Sequence, residues 1–230
     1  MVPIVNHLLE GLPRKSRGEF LRECDLVSLA FGAVLCERDE SYRHVYFPLG
    51  GIVSLVATVS DHAPLEIALI GNEGMLGATL VLGVKRARLQ SVVQGAGTAL
   101  RMPAPRFRRA LRASPALRSV VGRYLFVVLT QLSQSTACTR FHEVEARLAR
   151  WLLMTHDRAH GDRLHLTHEY LADMLGVRRS AVTIAAGALQ GRDLIRYVRG
   201  KIEVVDRQGL EAASCECYQA VIRDYKRMFD

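Results

Sequence analysis

Apolar and polar residues change their period three times along this chain. From Ile4 to Cys24 the apolar positions Leu8, Leu9, Leu12, Phe20 and Leu21 predict one or two short helices, split at Gly11-Leu12-Pro13. From Val34 to Met102 the pattern shortens to alternating or apolar runs: Val45-Tyr46-Phe47, Ile52-Val53-Ser54-Leu55-Val56, Leu65-Glu66-Ile67-Ala68-Leu69-Ile70 and Ser91-Val92-Val93-Gln94. Glycine, proline and aspartate punctuate them, and strands this short and closely spaced predict a sandwich or jelly roll. Gly95-Ala96-Gly97 is read as a turn, since the third glycine and helix opening of a dinucleotide loop do not follow.

After Pro103 and Pro105 the period is helical again, first around Phe107 and Leu111, then from Leu117 to about Cys138. In that long stretch Val120, Val121, Tyr124, Leu125, Val127, Val128, Leu129 and Leu132 cover much of the circumference, more than a helix with one wet side displays. Such a helix needs two partners. Its own domain on one side and the same helix of a second copy on the other give a two-fold homodimer; a core helix of a monomer is the alternative. Thr139-Arg140-Phe141-His142 then marks a hinge before a further helix from Glu143 to Leu153, and the polar stretch from His156 to Arg163 predicts a loop. His156, His160, His165 and His168 cluster here, but across a loop, which suits a solvated or phosphate-facing role better than a metal site. The expected organisation is α+β: a β domain over 1–112, a dimerisation helix and hinge over 113–142, and a C-terminal domain over 143–230.

The segment Leu166 to Thr183 carries the densest signal. Leu171, Met174 and Leu175 put an apolar stripe on a first helix, Gly176 lets the chain leave it in a left-handed turn, and Val182, Ala185, Ala186 and Leu189 give a second helix its buried face. Ala172 is small where the two helices cross. This is the spacing of a helix-turn-helix. Arg178, Arg179, Ser180 and Thr183 gather at the start of the second helix, the end that enters a major groove, with Thr167 at the start of the first. Two alternating runs follow, Leu194 to Val198 and Lys201 to Val205, around the basic turn Arg199-Gly200. They predict a wing whose Arg196, Arg199 and Lys201 are suited to backbone phosphates.

Charge and composition narrow the partners. The 230 residues are 49% hydrophobic and 23% charged, which excludes disorder and fibres. A net charge of +8 favours a polyanion, and combined with the helix-turn-helix it points to double-stranded DNA. No apolar run approaches the roughly 20 residues needed to span a bilayer, so no membrane partner and a cytoplasmic location are expected. The five cysteines, Cys24, Cys36, Cys138, Cys215 and Cys217, show no repeated pair spacing and are expected to be reduced. Cys215-Glu216-Cys217 supplies two ligands without a second pair, an incomplete zinc site, so no metal is assigned. No serine, cysteine or carboxylate constellation forms a catalytic motif, and no enzymatic activity is expected.

The stretch Glu143 to about Glu211, through Leu166-Thr167-His168-Glu169-Tyr170-Leu171-Ala172-Asp173-Met174-Leu175-Gly176-Val177-Arg178-Arg179-Ser180 and Gly191-Arg192-Asp193-Leu194-Ile195, resembles the DNA-binding domain of the cyclic AMP receptor protein and fumarate-nitrate reduction regulator family. His44 to Leu55 and Ile70-Gly71-Asn72-Glu73-Gly74-Met75-Leu76-Gly77 are similar to that family's cyclic-nucleotide-binding-like jelly roll. The resemblance covers nearly the whole chain. It implies a transcription regulator in which a sensor is coupled through the dimer helix to a winged helix-turn-helix that reads a palindromic operator. The alternative is a ligand-independent regulator whose jelly roll serves dimerisation or contact with RNA polymerase.

The resemblance also implies effector residues. In the family's nucleotide-binding members a glycine-glutamate start and a later arginine hold the ribose and the cyclic phosphate. Gly71, Glu73 and Gly74 match the start, whereas Leu89-Gln90 stand where the arginine pair belongs, and Arg86 or Arg88 serve only in a shifted register. A cyclic nucleotide is therefore left open and no cofactor is assigned. On the reading helix Arg179 is retained, but Ser180 and Ile184 replace the family's glutamate and second arginine, which implies a different operator.

Overall fold

The computed structural model describes residues 5–60, 64–159 and 163–229. The chain divides into two compact units, one comprising Met1–Leu55, Leu69–Leu129 and Tyr225–Asp230, the other Val56–Ala68 and Thr130–Asp224.

The first unit opens with α1 (His7–Glu10) and α2 (Arg14–Arg22), broken at Gly11-Leu12-Pro13 as the sequence indicates. Asn6 caps α1 by accepting from the Leu9 N–H. The strands β1 (Asp25–Leu29), β2 (Val34–Cys36), β3 (His44–Ala57), β4 (Leu65–Ile70) and β5 (Gln90–Pro103) follow, with residues 56–57 of β3 and 65–68 of β4 counted in the second unit. They form one sheet in the order β1-β5-β3-β4, with β2 also paired to β5. A 3-10 turn at Ala78–Leu82 interrupts them between β4 and β5. The core packs Leu29, Val53, Ile70, Leu76, Val93 and Ala99. Phe20, Phe47 and Phe107 meet edge to face, with centroids 5.3 to 6.3 Å apart, and fasten α2 and α3 (Ala104–Ala113) to β3.

Gly95-Ala96-Gly97 is not a turn. All three residues lie inside the continuous strand β5, where Leu29 pairs with Gly97. A Cβ on Gly97 would collide with the Gly50 carbonyl oxygen, so these glycines serve the close approach of two backbones. Glycine marks both situations in a sequence, and only the long-range pairing distinguishes them.

α4 (Pro115–Phe141) is the long helix that the apolar stretch predicts. Leu117, Val120, Val121, Tyr124 and Val127 are buried, yet Phe126 and Leu129, one turn apart, remain 65% and 60% exposed.

The second unit contains α5 (Val144–His156), β6 (Arg163–His165), α6 (His168–Leu175), α7 (Arg179–Gly191), β7 (Ile195–Val198), β8 (Lys201–Val204), α8 (Arg207–Ala213) and α9 (Cys217–Phe229) as far as Asp224. Leu148, Leu152, Leu171, Val182, Leu189, Ile202 and Leu210 are fully buried and form its centre. The antiparallel sheet runs β6-β8-β7, so the wing has a third strand where the sequence predicted the end of a loop. His160 lies outside the described residues. Arg207 at the start of α8 reaches Asp157 at 2.6 Å, the Tyr218 hydroxyl at 2.8 Å and His156 Nδ1 at 2.8 Å, joining the ends of α5, α8 and α9.

Candidate nucleic-acid interface

The helix-turn-helix is built as its residue types require. Thr167 caps α6 through its side-chain oxygen, which accepts the Tyr170 N–H at 3.1 Å. Gly176 closes α6 at φ 62 and ψ 43, the left-handed conformation in which a side chain is strained. With Val182, Ala185, Ala186 and Leu189 buried, α7 turns its opposite side outward. Arg178, Arg179, Ser180, Thr183, Ile184 and Gly187 are all exposed there. Arg179 stands 3.8 Å from Glu169, an exposed pair of little energetic consequence, so its guanidinium is available to a base edge. Ile184 is 74% exposed, an apolar side chain in the middle of this face that suits the methyl group of thymine.

The wing stands beside the helices. Arg199 at φ 47 and Gly200 at φ 78 form the tight two-residue turn that joins β7 to β8, with Val198 paired to Lys201 across it. Gly200 contributes no side chain, but its carbonyl accepts the Leu166 N–H at 2.8 Å, and a Cβ there would meet the Thr167 methyl at 3.6 Å. Thr167, Arg199 and Lys201 are thereby brought to one end of the unit. Arg196 is instead engaged by Glu203 at 3.3 Å.

His168 is the residue that sequence reasoning left as merely solvated or phosphate-facing. Its ring stacks on Tyr197 of β7, centroids 4.1 Å apart. Thr183 donates its hydroxyl hydrogen to the Arg179 carbonyl at 3.1 Å, so it accepts from His168 Nδ1 at 3.0 Å. Burial, and secondarily the charge of Arg179, lowers the His168 pKa and favours the neutral ring.

In the first unit, Gly71, Glu73 and Gly74 share one turn. The Glu73 carboxylate accepts the Gly71 N–H at 3.1 Å, and Gly74 is packed so tightly that a Cβ would collide with the Tyr124 hydroxyl. Arg86 and Arg88 converge on Asp39: Arg86 donates to its carbonyl oxygen and Arg88 to its carboxylate, each at 2.9 Å. Elsewhere in the sheet Ser54 donates to Gln94 Oε1, while Ser91 Oγ and Gln94 Nε2 are buried with no hydrogen-bond partner among the described residues. Within the second unit, Cys138, His142, Cys215 and Cys217 place their ligand atoms within 4.8 Å of one another. The sequence displayed only the Cys215-Glu216-Cys217 half of that group, because Cys138 and His142 are over seventy positions away.

A family model for the cyclic nucleotide-binding domain matches residues 26–114, and one for the Crp-like helix-turn-helix domain matches residues 146–213. No curated protein sequence matches the chain. Solved structures share the fold at low identity. FixK2 from Bradyrhizobium japonicum aligns at 16% identity over 84% of this chain and 98% of its own, with a TM-score of 0.70. A CRP-family transcriptional regulator from Thermus thermophilus aligns at 20% identity over 82% and 96%, with a TM-score of 0.68. The c-di-GMP responsive global regulator CLP of Xanthomonas campestris aligns at 15% identity over 84% and 99%, with a TM-score of 0.65.

Proposed function

This chain belongs to the Crp/Fnr family of transcription regulators, and on that premise we propose that it reads a palindromic DNA operator as a homodimer, through α7 in the major groove and the wing on the flanking backbone. The observation that carries this reading is the exposed basic start of α7, Arg178 and Arg179 with Ser180 and Thr183, in a unit that also presents Arg199 and Lys201 on its wing. Arg179 reads a guanine edge, Ser180 and Thr183 are less selective, and Thr167, Arg199 and Lys201 contact phosphates and fix register. The exposed pair Phe126 and Leu129 on α4 supports association with a second copy.

The β domain acts as a sensor whose ligand shifts the dimer between arrangements with different recognition-helix spacing. Buried, unpartnered Ser91 Oγ and Gln94 Nε2 favour a small polar ligand. The alternative is ligand-independent binding, favoured by the engagement of Arg86 and Arg88 with Asp39, which leaves a cyclic phosphate to compete for both. No described helix is long and apolar enough to cross a membrane, and the proposed site of action is the bacterial cytoplasm. No catalytic role is assigned.

Selection of bound sequences from random double-stranded DNA by the purified full chain tests the reading, run with and without cyclic mono- and dinucleotides. Half-sites about one helical turn apart are expected. Enrichment only with a nucleotide supports the sensor; equal enrichment without it supports the alternative. Enrichment of unpaired single half-sites would refute the dimeric reading.

A further inference from the structure

Four side chains with metal-binding atoms converge at the end of α4, and none of them is among the residues assigned to DNA. Cys138 and His142 are four residues apart on one face, and the His142 N–H still donates to the Cys138 carbonyl at 3.1 Å, continuing the helical bonding. Cys215 and Cys217 flank Glu216 between the end of α8 and the first turn of α9. Cys138 Sγ lies 3.5 Å from Cys215 Sγ, and His142 Nδ1 lies 3.4 Å from Cys217 Sγ. The three cysteines are buried and the histidine is half-buried.

These spacings match one small tetrahedral centre. Metal–sulfur bonds of about 2.3 Å at tetrahedral angles place the sulfurs roughly 3.8 Å apart, with an imidazole nitrogen slightly closer. An iron–sulfur cluster interposes iron and sulfide among its thiolates and needs a wider ring of ligands. Three thiolates and one imidazole form a donor set typical of structural zinc.

The surroundings fit as well. His142 Nε2 faces the Glu216 carboxylate at 3.2 Å, which directs Nδ1 toward the sulfurs, the arrangement in which a carboxylate orients a ligating histidine. Gln134 donates its amide hydrogen to Cys217 Sγ at 2.9 Å, a contact suited to a thiolate. Three thiolates around a divalent ion leave one net negative charge, and Arg147 and Arg150 lie near enough to act electrostatically on Cys138.

We propose that Cys138, His142, Cys215 and Cys217 bind one zinc ion, which staples the end of α4 to the junction of α8 and α9. Each cysteine enters as thiolate, its proton passing to solvent, so no oxidant or reductant is involved. The site does not depend on the DNA-binding reading and is tested without DNA.

The experiment is elemental analysis of full-length protein produced with zinc present and purified without chelator. About one zinc per chain is expected, falling at least tenfold when Cys138, Cys215 and Cys217 are all changed to serine, and unchanged in Cys24→Ser/Cys36→Ser. Wild-type protein stripped of metal and reduced is also titrated with cobalt, so that the answer does not rest on a variant that fails to fold. Intense tetrahedral cobalt bands with thiolate charge transfer, saturating at one equivalent, support the site. A weak octahedral cobalt spectrum, zinc retained by the triple variant, or a Cys138–Cys215 disulfide that persists as the only form in anaerobically purified protein would overturn it.

Discussion

His168 and Tyr197 lie face to face, ring centroids 4.1 Å apart and planes 21° from parallel. The first turn of α6 is thereby clasped to β7, and the hydrogen bond from His168 to Thr183 brings α7 into the same contact. Removing the stack with Tyr197→Ala is expected to lower stability by about 1–2 kcal/mol and to weaken operator binding, while Tyr197→Phe preserves both. Chemical unfolding with parallel DNA titration measures this; an unaltered midpoint in Tyr197→Ala would show that the stack is incidental.

The same histidine gives the fold a pH dependence of definite sign. Burial and Arg179 lower its pKa from 6.5, so the unfolded chain binds the proton more readily than the folded one. Its contribution is complete above the unfolded value and is lost as pH falls through the lower folded one. The His168 part is isolated by comparison with His168→Gln. The variant should lose less stability than wild type between neutral and acidic pH, read from unfolding midpoints across the series. Parallel pH curves for the two proteins would be inconsistent with this assignment.

Base reading and phosphate binding should separate by mutation. Arg179→Ala is expected to cost about 1–3 kcal/mol on the selected operator and to relax preference at one base pair per half-site. Arg199→Ala with Lys201→Ala should weaken all sequences alike and reduce the slope of log affinity against log salt by about 2 per protomer. Binding isotherms at several salt concentrations distinguish the two patterns. A loss of specificity from the wing pair instead would reverse the assigned roles.

Phe126 and Leu129 test the dimer. Changing both to glutamate places charge on an already exposed face, so the protomer fold should survive while self-association is lost. Sedimentation should report a monomer, and affinity for the full palindrome should fall by at least about tenfold because the second half-site no longer adds to the first. A dimer persisting in the double variant would locate the interface elsewhere.

Local signals were legible where neighbouring residues decide the geometry. Gly176 announced the end of α6, and Arg199-Gly200 announced the wing turn, because helix ends and tight turns are set by a few adjacent residues. The apolar circumference of the stretch from Leu117 likewise foretold α4. Features requiring distant partners were not legible. Gly97 serves a close approach to Gly50, not a turn, and nothing adjacent to it carries that information. Cys138 and His142 stand at helical spacing, but a helix face with two ligand types becomes a site only when α8 and α9 return Cys215 and Cys217 to it. The orientation of Arg86 and Arg88 toward Asp39 depends equally on a loop some fifty positions earlier.

The wing tip carries an opposition within a single residue. Arg199 is held at φ 47, a conformation that asparagine adopts with less strain and that costs a long side chain about 1 kcal/mol. The hairpin therefore retains a cation at a position its own backbone would rather give to another residue. Arg199→Asn should yield a protein that melts later yet holds DNA less tightly, so that thermal endurance and grip on the nucleic acid move in opposite directions under one substitution.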